Sequence, residues 1–206
     1  AVTAGLLYGH VKSYVVLDIP FQFNSVKEAD AVVDGPLGKK LSEQLPAKGL
    51  IGLAFWEYGY RCLSNSKKPV AKVEDLAGMK IRVIQAPIYI ETFNALGANS
   101  VPMPLPELYT ALEQKAVDGQ ENPLNVIFNN RYGEVQKYVS LTRHIYNPLQ
   151  LLMSKKTWDS MSDDEKKIIS ESAREAGLFQ RAVSRKQDEQ ALEALKKQGV
   201  LVNDVT

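Results

Sequence analysis

Cysteine and histidine are almost absent from this chain. The single cysteine, Cys62, excludes an internal disulfide and any metal site built from several thiolates. The two histidines, His10 and His144, lie far apart in sequence. A His-x-x-x-His zinc motif is therefore impossible, and Ser-His-Asp chemistry has few candidates. No apolar run approaches the roughly 18 residues that a membrane span needs. No basic block of the kind that tracks a phosphate backbone occurs, and 25 basic against 24 acidic side chains leave a net charge of +1. That balance argues against nucleic acid as a partner. A glycine-rich phosphate loop is also missing: the stretch from Gly5 to Gly9 is followed by neither Lys-Ser/Thr nor Gly-x-Gly-x-x-Gly. There is no internal repeat and no low-complexity tract.

What is present is ordinary globular material. The 206 residues are 45% hydrophobic and 24% charged, enough for one large domain or two small ones with a real core. The first residues, Ala1-Val2-Thr3-Ala4-Gly5-Leu6-Leu7, include no starting Met and no cationic signal segment. We read a mature or cut chain, whose compartment no targeting peptide reveals. The last residues, Val200 to Thr206, stop inside an apolar stretch that reads as a strand, so both ends look like cuts through a longer protein.

Along the chain, Tyr14-Val15-Val16-Leu17-Asp18-Ile19-Pro20 is β-branched and apolar and predicts a short strand or extended loop. Ser25-Val26-Lys27-Glu28 has capping-box spacing and opens a helix to about Val33. Leu37 to Gln44 predicts a second helix, ended by Pro46 and Gly49. Gly49 to Trp56 reads as a buried strand and Gly59 to Ser64 as another extended stretch. Lys80-Ile81-Arg82-Val83 alternates and predicts a strand. A helix follows from Pro87 to about Leu96, ended by Gly97. A short strand at Ser100 to Met103 and a short strand or turn at Ala116 to Glu121 enclose a helix over Glu107 to Gln114, and Asn122-Pro123 opens another helix. Val135 to Thr142 and Ile145 to Met153 are extended. A second capping box at Ser162 begins a proline-free stretch to Gln198, read as one long helix or two abutting ones. Its apolar face would be Ile168, Ile169, Ala173, Ala176, Phe179, Ala182 and Val183. Alternating strands and helices argue α/β with a largely parallel sheet.

Few residues suit covalent chemistry. Asp118 and Glu121 make a loose carboxylate pair that nothing fixes on one face. Cys62 with His144 as base is a weaker reading than a small buried thiol on a strand. Trp56 and Trp158, with Tyr58 and Tyr60, are either a stacking surface or core and rim packing. Arg82 is more informative. It sits mid-strand between Ile81 and Val83, where an arginine is costly unless something anionic satisfies it. Its planar fork matches a carboxylate, although an internal salt bridge or an exposed edge would serve equally. Arg61 lies in a similar apolar stretch. Asn122 is either a helix N-cap or a ligand-binding amide. Two strand arginines and a helix-start amide suggest a site for a small organic anion.

Longer motifs extend that reading. Leu76-Ala77-Gly78-Met79-Lys80-Ile81-Arg82-Val83, then Ala95-Leu96-Gly97-Ala98-Asn99-Ser100-Val101-Pro102-Met103, then Val117-Asp118-Gly119-Gln120-Glu121-Asn122-Pro123-Leu124 form an ordered series. With Asp18 to Phe23, Tyr60 to Ser66 and Thr142-Arg143-His144, they resemble the solute-binding proteins of TRAP transporters, the tripartite ATP-independent periplasmic systems, over essentially the whole chain. The resemblance implies a two-lobed α/β periplasmic-binding-protein fold with a long helix, about residues 162–198, spanning both lobes. Lobe one would hold residues 1–58 and 148–206, and lobe two residues 59–147. Arg82 would clamp the ligand carboxylate, with Arg61 and Asn122 beside it. Ile84, Gln85 and Ala86 would border the pocket, Leu105 would stand where many members place an aromatic, and His144 would lie nearby.

The same resemblance implies a periplasmic, non-enzymatic protein without cofactor or metal. It would close its lobes on an organic acid anion and deliver it to the membrane subunits of the transporter, without itself entering the membrane. The stretch Arg82 to Phe93 resembles members that take uronates or similar sugar acids, and Gln85 offers both donor and acceptor to hydroxyls. Four-carbon dicarboxylates and keto acids are the alternatives within the family; a sensing domain of a membrane receptor and a carboxylate-processing enzyme are the alternatives outside it. Family members begin about 80 to 100 residues earlier, the size of two βα units. The resemblance therefore leads us to expect an incomplete first lobe and a missing C-terminal tail.

Overall fold

The computed structural model describes residues 1–206. The strands are β1 (Val2–Thr3), β2 (Leu50–Asn65), β3 (Lys80–Val83), β4 (Asn99–Pro102), β5 (Gly119–Asn122), β6 (Tyr138–Ser154) and β7 (Leu201–Asn203). The helices are α1 (Val26–Val33), α2 (Pro36–Ser42), α3 (Pro87–Ala95), α4 (Leu108–Glu113), α5 (Leu124–Asn129), α6 (Lys155–Asp159) and α7 (Asp163–Lys197). The strands follow the order β1-β6-β2-β5-β3-β4, with β7 also on β6. The chain divides into two compact units, residues 1–59 with 145–185 and residues 60–144 with 186–206. Only β2, β6 and α7 have residues in both. Each long strand replaces two separate extended segments expected from sequence. The backbone departs from β geometry close to the unit boundaries, at Gly59 (φ 122°) and Arg143 (φ 41°). The sheet is mixed: β1–β6 and β2–β5 are antiparallel, whereas β3–β4, β3–β5 and β6–β7 are parallel.

In the first unit, the segment from Tyr14 expected to be a short strand or extended loop is a 3₁₀ helix, Lys12–Asp18. The reason is the spacing of its buried residues. Val11, Tyr14 and Leu17 recur every third position, the period at which 3₁₀ side chains eclipse, and they pack with Leu41, Leu45 and Phe55. Burial on that stripe outweighs the β propensity of Val15 and Val16. Ser25 caps α1 by accepting from the Glu28 backbone N–H at 3.2 Å. The second half of the box is displaced by one residue, because Glu28 accepts from the Asn24 N–H.

Helix α7 forms as one piece of 35 residues. Its capping box is complete: Ser162 Oγ accepts from the Glu165 N–H at 3.2 Å, and the Glu165 carboxylate accepts from the Ser162 N–H at 2.7 Å. Its buried stripe differs from the apolar face expected. Ala173, Gly177, Arg181, Ser184, Ala191 and Leu195 face inward, while Ile168, Leu178 and Phe179 are exposed. Small residues occupy the stripe because its neighbours come close; a Cβ added at Gly177 would stand 2.8 Å from Trp56 Cδ1. Trp56 also donates from its indole N–H to the Ala173 carbonyl. One turn apart, Arg181 and Arg185 tie α7 to Asp30 of α1, to Asp34 just after it and to Glu57 of β2.

In the second unit, β5 lies between β2 and β3, and β4 flanks β3. The core joins Leu108, Leu112, Val117, Ile127, Tyr132 and Val139 with Ala191, Leu195 and Val200. Residues 186–206 therefore belong to this unit, where the sequence reading had placed them in lobe one. Two interactions within the unit decide it: the burial of Ala191 and Leu195, and the parallel pairing of β7 with β6 at Tyr138–Ser140. Residues 145–147 and Gly59 likewise fall in the first unit rather than in lobe two.

Gly177→Ala should destabilise the protein by roughly 1–3 kcal/mol through overpacking. In an open helix interior the same change would stabilise by up to about 1 kcal/mol. Urea unfolding followed by tryptophan fluorescence and circular dichroism decides between these signs.

Candidate functional site

Three parallel strands of the second unit end side by side. The Arg82 Cα pairs with Val101 on β4 and with Gln120 on β5, so Val83, Pro102 and Asn122 mark one carboxyl-terminal edge. In open α/β sheets that edge is where ligands bind, because the loops that follow the strands converge there. Ile84, Gln85 and Ala86 follow β3; Gln85 is exposed, Ile84 half-buried and Ala86 buried at the start of α3. Leu105 follows β4 and is 36% exposed. Sequence analysis expected these residues to border the pocket around Arg82; they follow β3 and β4 at this edge.

Arg82 is 3% exposed. Its Nε and Nη2 donate to the Met103 carbonyl at 2.9 and 2.5 Å, which fixes the direction of the guanidinium across the end of β4. Asn122 is the last residue of β5 and does not cap α5. The cap position is Pro123, and the Asn125 N–H that a cap would have satisfied instead donates to Asp188 of α7 at 2.9 Å. The Asn122 side chain is thereby released from the helix. Its amide donates to Gln120 Oε1 at 2.5 Å and its carbonyl accepts from Arg61 at 3.2 Å.

Arg61 has an internal partner. Its Nε and Nη2 hold both carboxylate oxygens of Glu121, with Nη2 to Oε1 at 2.9 Å, and both side chains are fully buried. Nη2 also donates to the Glu121 carbonyl, and the guanidinium carbon stands 5.3 Å from the Tyr89 ring centroid. His144 completes the group: Nε2 lies 3.2 Å from Glu121 Oε2, Nδ1 lies 2.8 Å from Thr142 Oγ1, and the ring meets Phe93 edge-on at 5.3 Å. Burial by itself would raise the Glu121 pKa. The Arg61 charge and the hydrogen bonds from His144 and Arg61 outweigh it and hold the carboxyl below its ordinary value of 4.5. From Asn122 the polar chain continues through Gln120 and Ser64 to Gln136.

The structure joins Arg61, Asn122 and His144 through Glu121, a residue sequence analysis weighed only as half of a carboxylate pair. That pair does not form, because Asp118 accepts from the Lys80 N–H and bridges to Lys67. The acidic residue directly before Asn122 was the available signal, since an arginine buried on a strand is often met by a buried acid. Gln120, Ser64 and Gln136 carried no signal, being polar residues whose burial only the sheet decides. Cys62 is buried and its thiol is pushed up to about 12 by desolvation, which removes it as a nucleophile at neutral pH.

The arrangement suits reversible capture of an anion. The model of the family described as bacterial extracellular solute-binding protein, family 7, matches residues 1–206. The chain is 46% identical to the sugar acid binding protein of Advenella mimigardefordensis, solved in complex with galactonate. The TM-score is 0.96, covering 99% of this chain and 66% of that one. It is 54% identical to a TRAP periplasmic solute binding protein from Ochrobactrum anthropi, with a TM-score of 0.90, covering 99% of this chain and 64% of that one. It is 40% identical over 187 residues to the 2,3-diketo-L-gulonate-binding periplasmic protein of Escherichia coli, covering 91% of this chain and 57% of that relative. The chain thus spans less than two thirds of the length of these relatives.

The lowered Glu121 pKa gives a signed prediction. The pairing stabilises the fold above about pH 4.5, the ordinary carboxyl value, and the stabilisation is lost as pH falls through the native value. Glu121→Gln should therefore cost about 3–5 kcal/mol at pH 7 by leaving Arg61 buried without a counter-charge. The gap to the parent protein should shrink at pH 3. Urea unfolding at the two pH values checks it, and an equal gap at both would contradict the ionised pair.

Proposed function

Because this chain belongs to family 7 of the bacterial extracellular solute-binding proteins, we propose that it is the solute-capturing component of a TRAP transporter and that its solute is a sugar-acid anion. The observation that carries this reading is the buried arginine Arg82 at the carboxyl edge of β3, with Asn122 at the matching edge of β5. Arg82 grips the carboxylate, its planar fork being a shape match that a lysine lacks. The Met103 carbonyl orients that fork before the ligand arrives, so less ordering is required on binding. Asn122 fixes the carboxylate from the β5 side, itself held between Arg61 and Gln120. Gln85, exposed on the loop after β3, meets ligand hydroxyls. Ile84, Ala86 and Leu105 supply apolar border, and Arg61 and His144 support the site through Glu121.

Relatives support the ligand class: one is solved with galactonate and another is named for 2,3-diketo-L-gulonate. The chemistry is binding without a covalent step. Cys62 is a buried high-pKa thiol, and Asp118 and Glu121 hold structural partners. No helix is long and apolar enough to cross a membrane. In this reading the protein works in the periplasm and hands its solute to the membrane subunits.

Calorimetry with galactonate and other sugar acids tests the proposal. Arg82→Ala should weaken binding by roughly 2–5 kcal/mol, the range for truncating one partner of a buried charge pair. Arg82→Lys should also bind poorly, since a point charge cannot reproduce the fork. A loss below tenfold in Arg82→Ala would remove Arg82 as the clamp.

Asn122→Asp keeps the size of the side chain but sets a negative charge against Gln120 Oε1 and beside the bound carboxylate. Affinity should collapse while the circular dichroism spectrum stays native. Unchanged affinity would return Asn122 to a purely structural role.

A further inference from the structure

We propose that the outward face of α7 is a dimerisation surface, on which a second copy of this chain packs antiparallel, helix against helix. The inference is independent of the sugar-acid reading above. A surface helix ordinarily turns its large apolar residues to the core and its charges to water. Near the middle of α7 that order is reversed. The inner stripe is Ala173, Gly177, Arg181 and Ser184, whereas Leu178 is 57% and Phe179 72% exposed. The inner side has room only for small residues, because a Cβ added at Gly177 would stand 2.8 Å from Trp56 Cδ1. With the exposed Ala182 one turn on, Leu178 and Phe179 make one continuous apolar patch, since positions three and four apart are neighbours on a helix. A continuous exposed patch points to an interaction surface in a way that scattered apolar residues do not.

The charges around the patch identify what covers it. On the same side of α7, Glu171 and Glu175 precede the patch and Lys186 follows it, all three exposed and set at three- and four-residue steps from it. A parallel copy would lay Glu171 on Glu171, Glu175 on Glu175 and Lys186 on Lys186, which repels. An antiparallel copy, related by a two-fold axis between Leu178 and Phe179, lays Leu178 on Phe179, Glu175 on Ala182 and Glu171 on Lys186. Each of these contacts then occurs twice, as a two-fold interface requires. Lys186 of the second copy also comes within one turn of Glu175. Ala182 is small enough for the Phe179 rings to approach the facing helix.

The face is therefore complementary to itself in shape and in sign. A partner of another sequence would have to reproduce both the charge order and the spacing, whereas a second copy carries them already. The contact from Glu171 to Lys186 spans about four turns, at the small end of specific interfaces, which bury ~1,000 Å² or more. The dimer is accordingly weak and reversible, half-formed at about 10–100 μM.

Sedimentation velocity of the intact protein from about 1 to about 500 μM tests the proposal. The parent protein should pass from monomer to dimer across that range. Phe179→Glu changes an exposed position, so the circular dichroism spectrum should stay native while the dimer weakens by about tenfold or more. Glu171→Lys opposes Lys186 with a like charge at both ends of the contact and should weaken the dimer about three- to tenfold, as should Lys186→Glu. The double variant Glu171→Lys with Lys186→Glu restores opposite charges and should return association to within about threefold of the parent. That recovery establishes the antiparallel register, because in non-specific apolar association the second change would not cancel the first. A parent protein that stays monomeric throughout overturns the proposal, and so does a dimer that Phe179→Glu leaves unchanged. A dimer lost in Phe179→Glu but not recovered in the double variant overturns the two-fold packing. None of these outcomes touches the sugar-acid reading, which calorimetry decides separately.

Discussion

The buried pair of Arg61 and Glu121 is the constraint on which the second unit's interior depends. Removing two charges from water costs several kcal/mol per ion, and mutual attraction offsets that only with good geometry and satisfied remaining donors. Both conditions are met. The guanidinium holds both carboxylate oxygens, the Glu121 main-chain carbonyl and the Asn122 amide oxygen accept further bonds, and His144 stands against the carboxylate. Such a pair adds little net stability compared with well-packed apolar residues. What it adds is direction. It pins Asn122 at the end of β5, and Asn122 in turn fixes Gln120, Ser64 and Gln136 in a single hydrogen-bonded order.

Binding proteins and enzymes both need buried polar groups, but they use them differently. An enzyme leaves a base or nucleophile poised to react, with a pKa tuned toward the working pH. Here two buried groups of the second unit are moved away from neutrality. Glu121 is held low by its cationic neighbours and Cys62 is pushed up to about 12. Groups so shifted keep one charge state across the neutral range.

The first unit solves its polar burial by another route. Arg181 and Arg185 on α7 meet Asp30, Asp34 and Glu57, and Tyr146 donates to Glu57 at 3.0 Å. This network lies beside a stripe of small residues, so α7 approaches β2 closely enough for Trp56 to reach the Ala173 carbonyl. The large apolar residues of α7 lie elsewhere on its surface, with Phe179 72% exposed. Periodicity in a sequence identifies a helix more securely than it identifies which face is buried.

Local information carried much of the fold. Ser25 and Ser162 announced their helices because a cap acts over three residues, and Gly97 (φ 87°) ended α3 where only a left-handed residue fits easily. The strand around Arg82, the long helix and the ordered motifs from Leu76 to Leu124 were legible for the same reason: each is written in neighbouring residues. Other features required the tertiary structure. Arg61 and Glu121 are 60 positions apart, so no local rule could say whether Arg61 would meet a ligand or an internal acid. Asn122 could not be separated from a helix cap until Asp188, on a distant helix, was seen to take the cap's donor. Tyr14 to Leu17 carried a strand's composition, and only packing against Leu41, Leu45 and Phe55 selected the three-residue period. Residues 186–206 fell to the second unit through β7 pairing with β6. In each case the deciding energy, burial of a charge, a donor or an apolar stripe, comes from partners that chain proximity does not specify.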